Sequence, residues 1–181
     1  MRAYLIYDPS KVDRLQGTGD IPRFVNESVM TGVPGEAFAS ARPAGPLASF
    51  DMTESWVEHP HRDGIVLIGD AAGSSDPTWG QGLSITIRDV RELSENLLAC
   101  DDWNLACDRY SQARDSYFQT ELRVSGWLFT LFFDEGPEAD RIRERAFPLL
   151  AAEPDRVPDH GFSGLDLPCD EQVRKRFFGE A

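Results

Sequence analysis

The stretch Ile65-Val66-Leu67-Ile68-Gly69-Asp70-Ala71-Ala72-Gly73-Ser74-Ser75-Asp76-Pro77-Thr78-Trp79-Gly80-Gln81-Gly82 decides how this chain is read. Its first four residues form a continuous aliphatic run of the kind found in strands covered on both faces. Beyond Gly82, the residues Leu83, Ile87, Val90, Leu93 and Leu97 recur at helical spacing and predict a helix with one apolar stripe. The order is therefore buried strand, small-residue turn, helix, which belongs to the α/β class.

The turn has the residues to meet a ligand. A carboxylate at the C-terminal end of a strand, here Asp70, sits where open α/β folds bind their ligands, and it can accept hydrogen bonds from hydroxyls. Gly80 and Gly82 remove side chains where a flat ligand must approach the backbone. The helix starting there offers unpaired N–H groups and a partial positive charge to a developing anion. Taken one at a time, these features equally suit a capped, closely packed turn with no ligand.

Taken in order, Gly69-Asp70-Ala71-Ala72, then Pro77, then Gly80-Gln81-Gly82, then Asp89 resembles the second flavin-binding motif of FAD-dependent monooxygenases related to para-hydroxybenzoate hydroxylase. The resemblance implies that Asp70, with Ala71 beside it, binds the ribitol chain of FAD. It implies that Pro77, Gly80, Gln81 and Gly82 lie against the isoalloxazine ring, and that Asp89 is structural. It names no catalytic residue. Two positions depart from the family pattern: Gly73 stands where histidine is common, and Ser84 where asparagine is common. Both departures remove polar contacts near the ring and leave the ribitol and backbone contacts intact. Members of such a family reduce FAD with NAD(P)H and use O₂ to hydroxylate a small organic, often aromatic, substrate.

Working outward, Arg2 to Asp8 reads as a strand. Asp20-Ile21-Pro22 opens a helix, with Asp20 as cap and Pro22 in the first turn, that Gly32 and Pro34 end. Gly45 to Phe50 and Ser55 to Glu58 read as short strands joined like a hairpin through Asp51 to Glu54. Together with Arg42-Pro43 and Trp56, these segments look like the last substrate-sheet strands of the family. Downstream, a helix starts over Trp103 to Tyr110, and Val124, Trp127, Leu128, Leu131 and Phe132 repeat as a core stripe. A further helix covers Glu138 to Leu150, a proline-bearing loop follows from Pro154 to Pro168, and Asp170 to Phe178 forms a terminal helix packed through Val173, Phe177 and Phe178.

The expected organisation is a substrate-sheet remnant over residues 1–60, a flavin-facing strand, loop and helix over 61–100, and a helical region over 101–181. In class this is α/β of mixed α+β character, with a few strands of a mixed sheet. No G-x-G-x-x-G occurs: Gly17-Thr18-Gly19 continues into Asp20-Ile21-Pro22. A seat for the pyrophosphate and adenosine of FAD is thus missing, and so is the N-terminal dinucleotide-binding βαβ unit. The chain is accordingly expected to be the C-terminal portion of such an enzyme, a truncated gene product or one piece of a split protein, incomplete for turnover alone. The alternative is a non-catalytic remnant that pairs with itself or with a separate N-terminal half through surface left exposed.

Bulk properties narrow the partners. With 181 residues, 41% hydrophobic, the chain has the composition of a folded globular protein. A net charge of −13 repels polyanions, which argues against nucleic acid and anionic membrane. The longest uncharged apolar-rich run, Val124 to Phe133, is far short of the roughly 20 residues a membrane helix needs. Three cysteines, Cys100, Cys107 and Cys169, show no C-x-x-C pair and read as reduced thiols of a cytoplasmic protein. The segment Glu58-His59-Pro60-His61-Arg62-Asp63 has metal-ligand residue types, but two histidines flanking a proline favour a polar turn, and no metal is expected.

Overall fold

The computed structural model describes residues 3–7, 10 and 13–180. The chain divides into two compact units, the first running to Asp51 and the second from Met52 onward.

In the first unit, helix α1 (Ile21–Met30) starts after Asp20 with proline in its first turn, as the sequence predicts. Asp20 does not cap the helix with its side chain. Its Oδ2 instead accepts the backbone N–H of Gln16 at 2.9 Å. A short helix α2 (Glu36–Ala39) follows, and the rings of Phe24 and Phe38 meet edge to face. Two expected strands do not form. Ala3 to Tyr7 lie in no sheet, while Arg2 and Asp8 fall outside the described residues. Gly45 to Phe50 contributes a single bridge, between Gly17 and Leu47. A β-prone run becomes a strand only when a neighbour takes up its backbone groups.

The second unit is mostly helical. Among the described residues its one sheet is an antiparallel pair, β1 (His61–Arg62) and β2 (Ile65–Val66), so the expected few strands of a mixed sheet are corrected to a hairpin. Asp63 and Gly64 make its two-residue turn, both with positive φ. The central buried strand expected over Ile65 to Ile68 is thus a hairpin arm, and Ile65 is 67% exposed. Ser55 to Glu58 is not paired with residues 45–50. Ser55 N–H donates to Ser74 O at 3.0 Å and Val57 N–H to Ala72 O at 2.9 Å, which lays this segment along the small-residue turn.

Helix α3 (Gly82–Ala99) follows that turn, and α4 (Trp103–Phe132) runs unbroken for 30 residues. Asp102 caps α4 by accepting the N–H groups of Asn104 and Leu105. The two helices lie side by side, but not as the apolar stripe predicts. Leu83 and Ile87 are 72% and 62% exposed, and the residues of α3 that are buried are Ile85 and Asp89. The face turned to α4 is the one that carries Asp89, because α4 presents Arg114 to it.

Helix α4 serves two cores. Its first half packs Tyr117 and Phe118 with Ile85 and Leu165, and Trp56 lies against this group. Its second half packs Leu131 with Ala146 of α5 (Pro137–Ala152) and with Phe177 and Phe178 of α7 (Glu171–Phe178). The loop before α7 contains a short helix α6 (His160–Ser163). Helix α7 is capped by Asp170 and stopped by Gly179 in the left-handed region. Among the described residues no helix is long and apolar enough to cross a membrane.

Phe177 has no exposed surface and closes the second core. Phe177→Ala is expected to cost about 3–5 kcal/mol in urea unfolding, with α7 losing its seat.

Candidate functional site

The turn after β2 begins at Leu67, whose carbonyl accepts the Tyr110 hydroxyl at 2.9 Å. Gly69 follows at φ +57, a conformation that suits glycine. A side chain there would also meet Thr86 Oγ1 at 2.8 Å. Its N–H donates to Asp89 Oδ2 at 2.7 Å, deep in the protein. Residues Gly69 to Ala71 complete one turn of 3₁₀ helix. Ala72 is fully buried, and a side chain on Gly73 would stand 2.6 Å from Ser55 O and 2.9 Å from the Phe118 ring. Glycine at 73 is therefore demanded by the strand-like pairing of Ser55 to Val57 with the turn. A histidine has no room at that position.

Asp70 is exposed and makes no hydrogen bond to any described residue. A Cβ on Gly82 would lie 3.8 Å from Asp70 Oδ1, so the carboxylate stands directly beside the first residue of α3. That helix starts after Gln81 with no side-chain cap and no acidic residue in its first turn, leaving its N–H groups unclaimed by a side chain. Between the two, Pro77 to Trp79 form a second 3₁₀ turn, anchored by Asp76 accepting the Thr78 N–H at 2.8 Å. Gly80 closes it in the left-handed region, with open space where a side chain would be.

Asp70, Ala71, Pro77 and Gly80 are thus exposed, and Gly82 lies next to the Asp70 carboxylate. Gln81 is engaged otherwise: its Nε2 donates to Trp79 O at 3.1 Å and to Gly161 O of α6 at 3.4 Å. The Trp79 ring packs against Phe132 and Phe133, and its indole N–H is buried without an acceptor among the described residues.

Sequence reasoning placed Asp89 on the supporting helix but missed its partners. Both Asp89 and Arg114 are fully buried, with Arg114 Nε donating to Asp89 Oδ2 at 3.1 Å. The Tyr117 hydroxyl donates to Asp89 Oδ1. Burial, with Asp89 nearby, pushes the Tyr110 and Tyr117 phenols far above their ordinary value. The signal available was polar residues at core spacing on α4: Tyr110, Arg114, Tyr117 and Glu121.

Glu121 is buried with the Ser125 hydroxyl donating to it at 2.9 Å. Burial raises its pKa above the ordinary value, and the charges of Glu54 and Asp76 raise it further. His61 of the hairpin and His59 just before it form a polar clamp on α4: His61 Nδ1 lies 2.8 Å and His59 Nε2 3.3 Å from Asp108 Oδ1, and the His59 backbone N–H donates to Asp115.

Residues 34–121 match the family described as FAD binding domain. Over 69 residues the chain is 36% identical to ubiquinone hydroxylase UbiL of Rhodospirillum rubrum, an alignment covering 36% of this chain and 15% of that protein. The alignment therefore reaches only a small part of that relative's length. No solved structure matches. The matched segment contains the whole turn, α3, and α4 as far as Glu121.

Two outcomes test this geometry. Gly73→Ala is expected to cost about 1–3 kcal/mol in urea unfolding, since a backbone carbonyl must move. Because the folded-state pKa of Glu121 is raised, the stability it contributes is fully present below its unfolded pKa and lost as pH rises through the folded value. Glu121→Gln should therefore raise Tm at neutral pH relative to the parent, with the gain shrinking as pH falls into the carboxylate range.

Proposed function

We propose that the second unit supplies the ribitol and isoalloxazine side of an FAD site in a flavin-dependent monooxygenase acting on a small organic, often aromatic, substrate with NAD(P)H and O₂. The observation that carries this is the unpartnered Asp70 carboxylate beside the uncapped start of α3, with the bare backbone of Pro77 to Gly80 between them. The match of residues 34–121 to an FAD binding domain supports it. The residues fit the cofactor: Asp70 is free to accept from ribitol hydroxyls, and Gly80 and Gly82 leave backbone open to a flat ring.

When bound, FAD supplies the redox chemistry by which O₂ is activated for hydroxylation. The chain's own residues bind and orient. Asp70 fixes the ribitol. Pro77 and Gly80 form one wall of the ring site, held in shape by Asp76 from below and by Gln81 from the side. The N–H groups opening α3 favour negative charge at the ring edge they face, a preorganised electrostatic role.

A second reading is favoured by α3 itself. Its exposed apolar face, Leu83, Ile87, Val90 and Leu98, together with exposed Ile65, is surface of the kind that pairs with another polypeptide, either a second copy or a separate dinucleotide-binding half.

Titration of FAD into the protein, followed by quenching of flavin fluorescence, tests the first reading. Saturable binding is expected, and Asp70→Ala should weaken it about tenfold or more, the worth of a charged hydrogen bond. No binding at high FAD sinks the claim for this chain alone. Light scattering of the Leu83→Glu, Ile87→Glu double variant tests the second: self-association should be present in the parent and lost in the variant.

A further inference from the structure

We infer that Arg114 is a positioning residue for the flavin turn, acting through Asp89, and that the turn's grip on the ribitol depends on it. This inference rests on the flavin reading above.

Three residues of α4, four apart, fall on one side of that helix: Tyr110, Arg114 and Phe118. Each fixes a different point of the turn. Tyr110 holds the Leu67 carbonyl through its hydroxyl, at 2.9 Å. Arg114 holds Asp89, which takes the Gly69 N–H at 2.7 Å. Phe118 closes on Gly73, where a Cβ would stand 2.9 Å from its ring. Residues 67, 69 and 73 are thus pinned to successive turns of one rigid helix. The residue between them with a free carboxylate is Asp70. Its direction follows from the three pins, since Asp70 has no bond of its own to hold it.

The middle pin is the one that depends on charge. Asp89 has no exposed surface, and burying a carboxylate is costly unless it is paired and hydrogen-bonded. Arg114 provides the pairing cation. It turns Oδ2 toward the Gly69 N–H while Tyr117 takes Oδ1. The guanidinium in turn lies over the Phe118 ring at 4.4 Å, which couples the second pin to the third. Its Nη1 and Nη2 are buried and have no acceptor among the described residues, so the Asp89 bond and the ring stack are what orient it. Lysine offers neither the planar stack nor the directed Nε bond.

The expected behaviour is local. In Arg114→Lys and Arg114→Met, amide hydrogen exchange over residues 67–73 should speed up at least tenfold while α5 and α7 keep parental protection. FAD affinity of the folded protein should fall at least tenfold, with Arg114→Lys failing to rescue it. Asp89→Leu combined with Arg114→Met removes both charges and so avoids the lone buried charge that a single variant leaves, and the same loosening of 67–73 is expected in it. Exchange raised evenly across the whole chain, or unchanged at 67–73, overturns the inference; so does parental FAD affinity in the variants. A parent that binds no FAD overturns the flavin reading instead, and exchange over 67–73 alone then decides whether Arg114 sets the turn.

Discussion

The buried pair of Asp89 and Arg114 is the constraint on which the second unit is organised. Two charges with no exposed surface are expensive, and an apolar pair of similar volume could serve the core as well. What an apolar pair could not do is accept the Gly69 N–H. That group sits at the end of a hairpin arm, inside the protein, where a lost hydrogen bond costs about as much as burying a polar group bare. The carboxylate is needed by the turn, the guanidinium by the carboxylate, and the face of α3 that meets α4 is chosen accordingly.

That choice explains where the sequence was legible and where it misled. Helices with their own signals form where they were read: α1 starts after Asp20 with Pro22 in its first turn, though without an Asp20 cap, and α7 falls within the expected Asp170 to Phe178. These are local matters of capping and backbone preference. The stripe of Leu83, Ile87 and Val90 is apolar yet exposed, because periodicity reports which face is apolar, not which neighbour is present. Strands failed for a related reason: Ile65 to Ile68 and Gly45 to Phe50 have strand composition, but pairing partners are not a property of a short run. The hairpin that does form has an Asp63-Gly64 signal that was available in the sequence and not used.

The candidate site was legible to a similar degree. Asp70, Pro77 and Gly80 stand open, and Gly82 adjoins the carboxylate, because a motif of small residues and one acid fixes much of its own backbone. Gln81 was less legible: its amide bridges Trp79 and Gly161, a contact across 80 positions that no local pattern encodes. For Tyr110, Arg114 and Phe118 the spacing marks a buried side of α4, but the turn they hold is distant in sequence, and no local pattern pairs the two.

Trp79 carries a further consequence. Of the tryptophans, Trp56 is tied to Asp115, Trp103 is largely in water and Trp127 belongs to the second core, so Trp79 alone sits in the 3₁₀ turn next to Gly80. Its indole is wedged against two phenylalanines rather than free to rotate in solvent. A chromophore that absorbs in the near ultraviolet and visible, seated on that turn, would drain its excited state. On the flavin reading proposed above, Trp79 is the protein's own optical gauge of whether the ring site is filled, readable from native emission without a label.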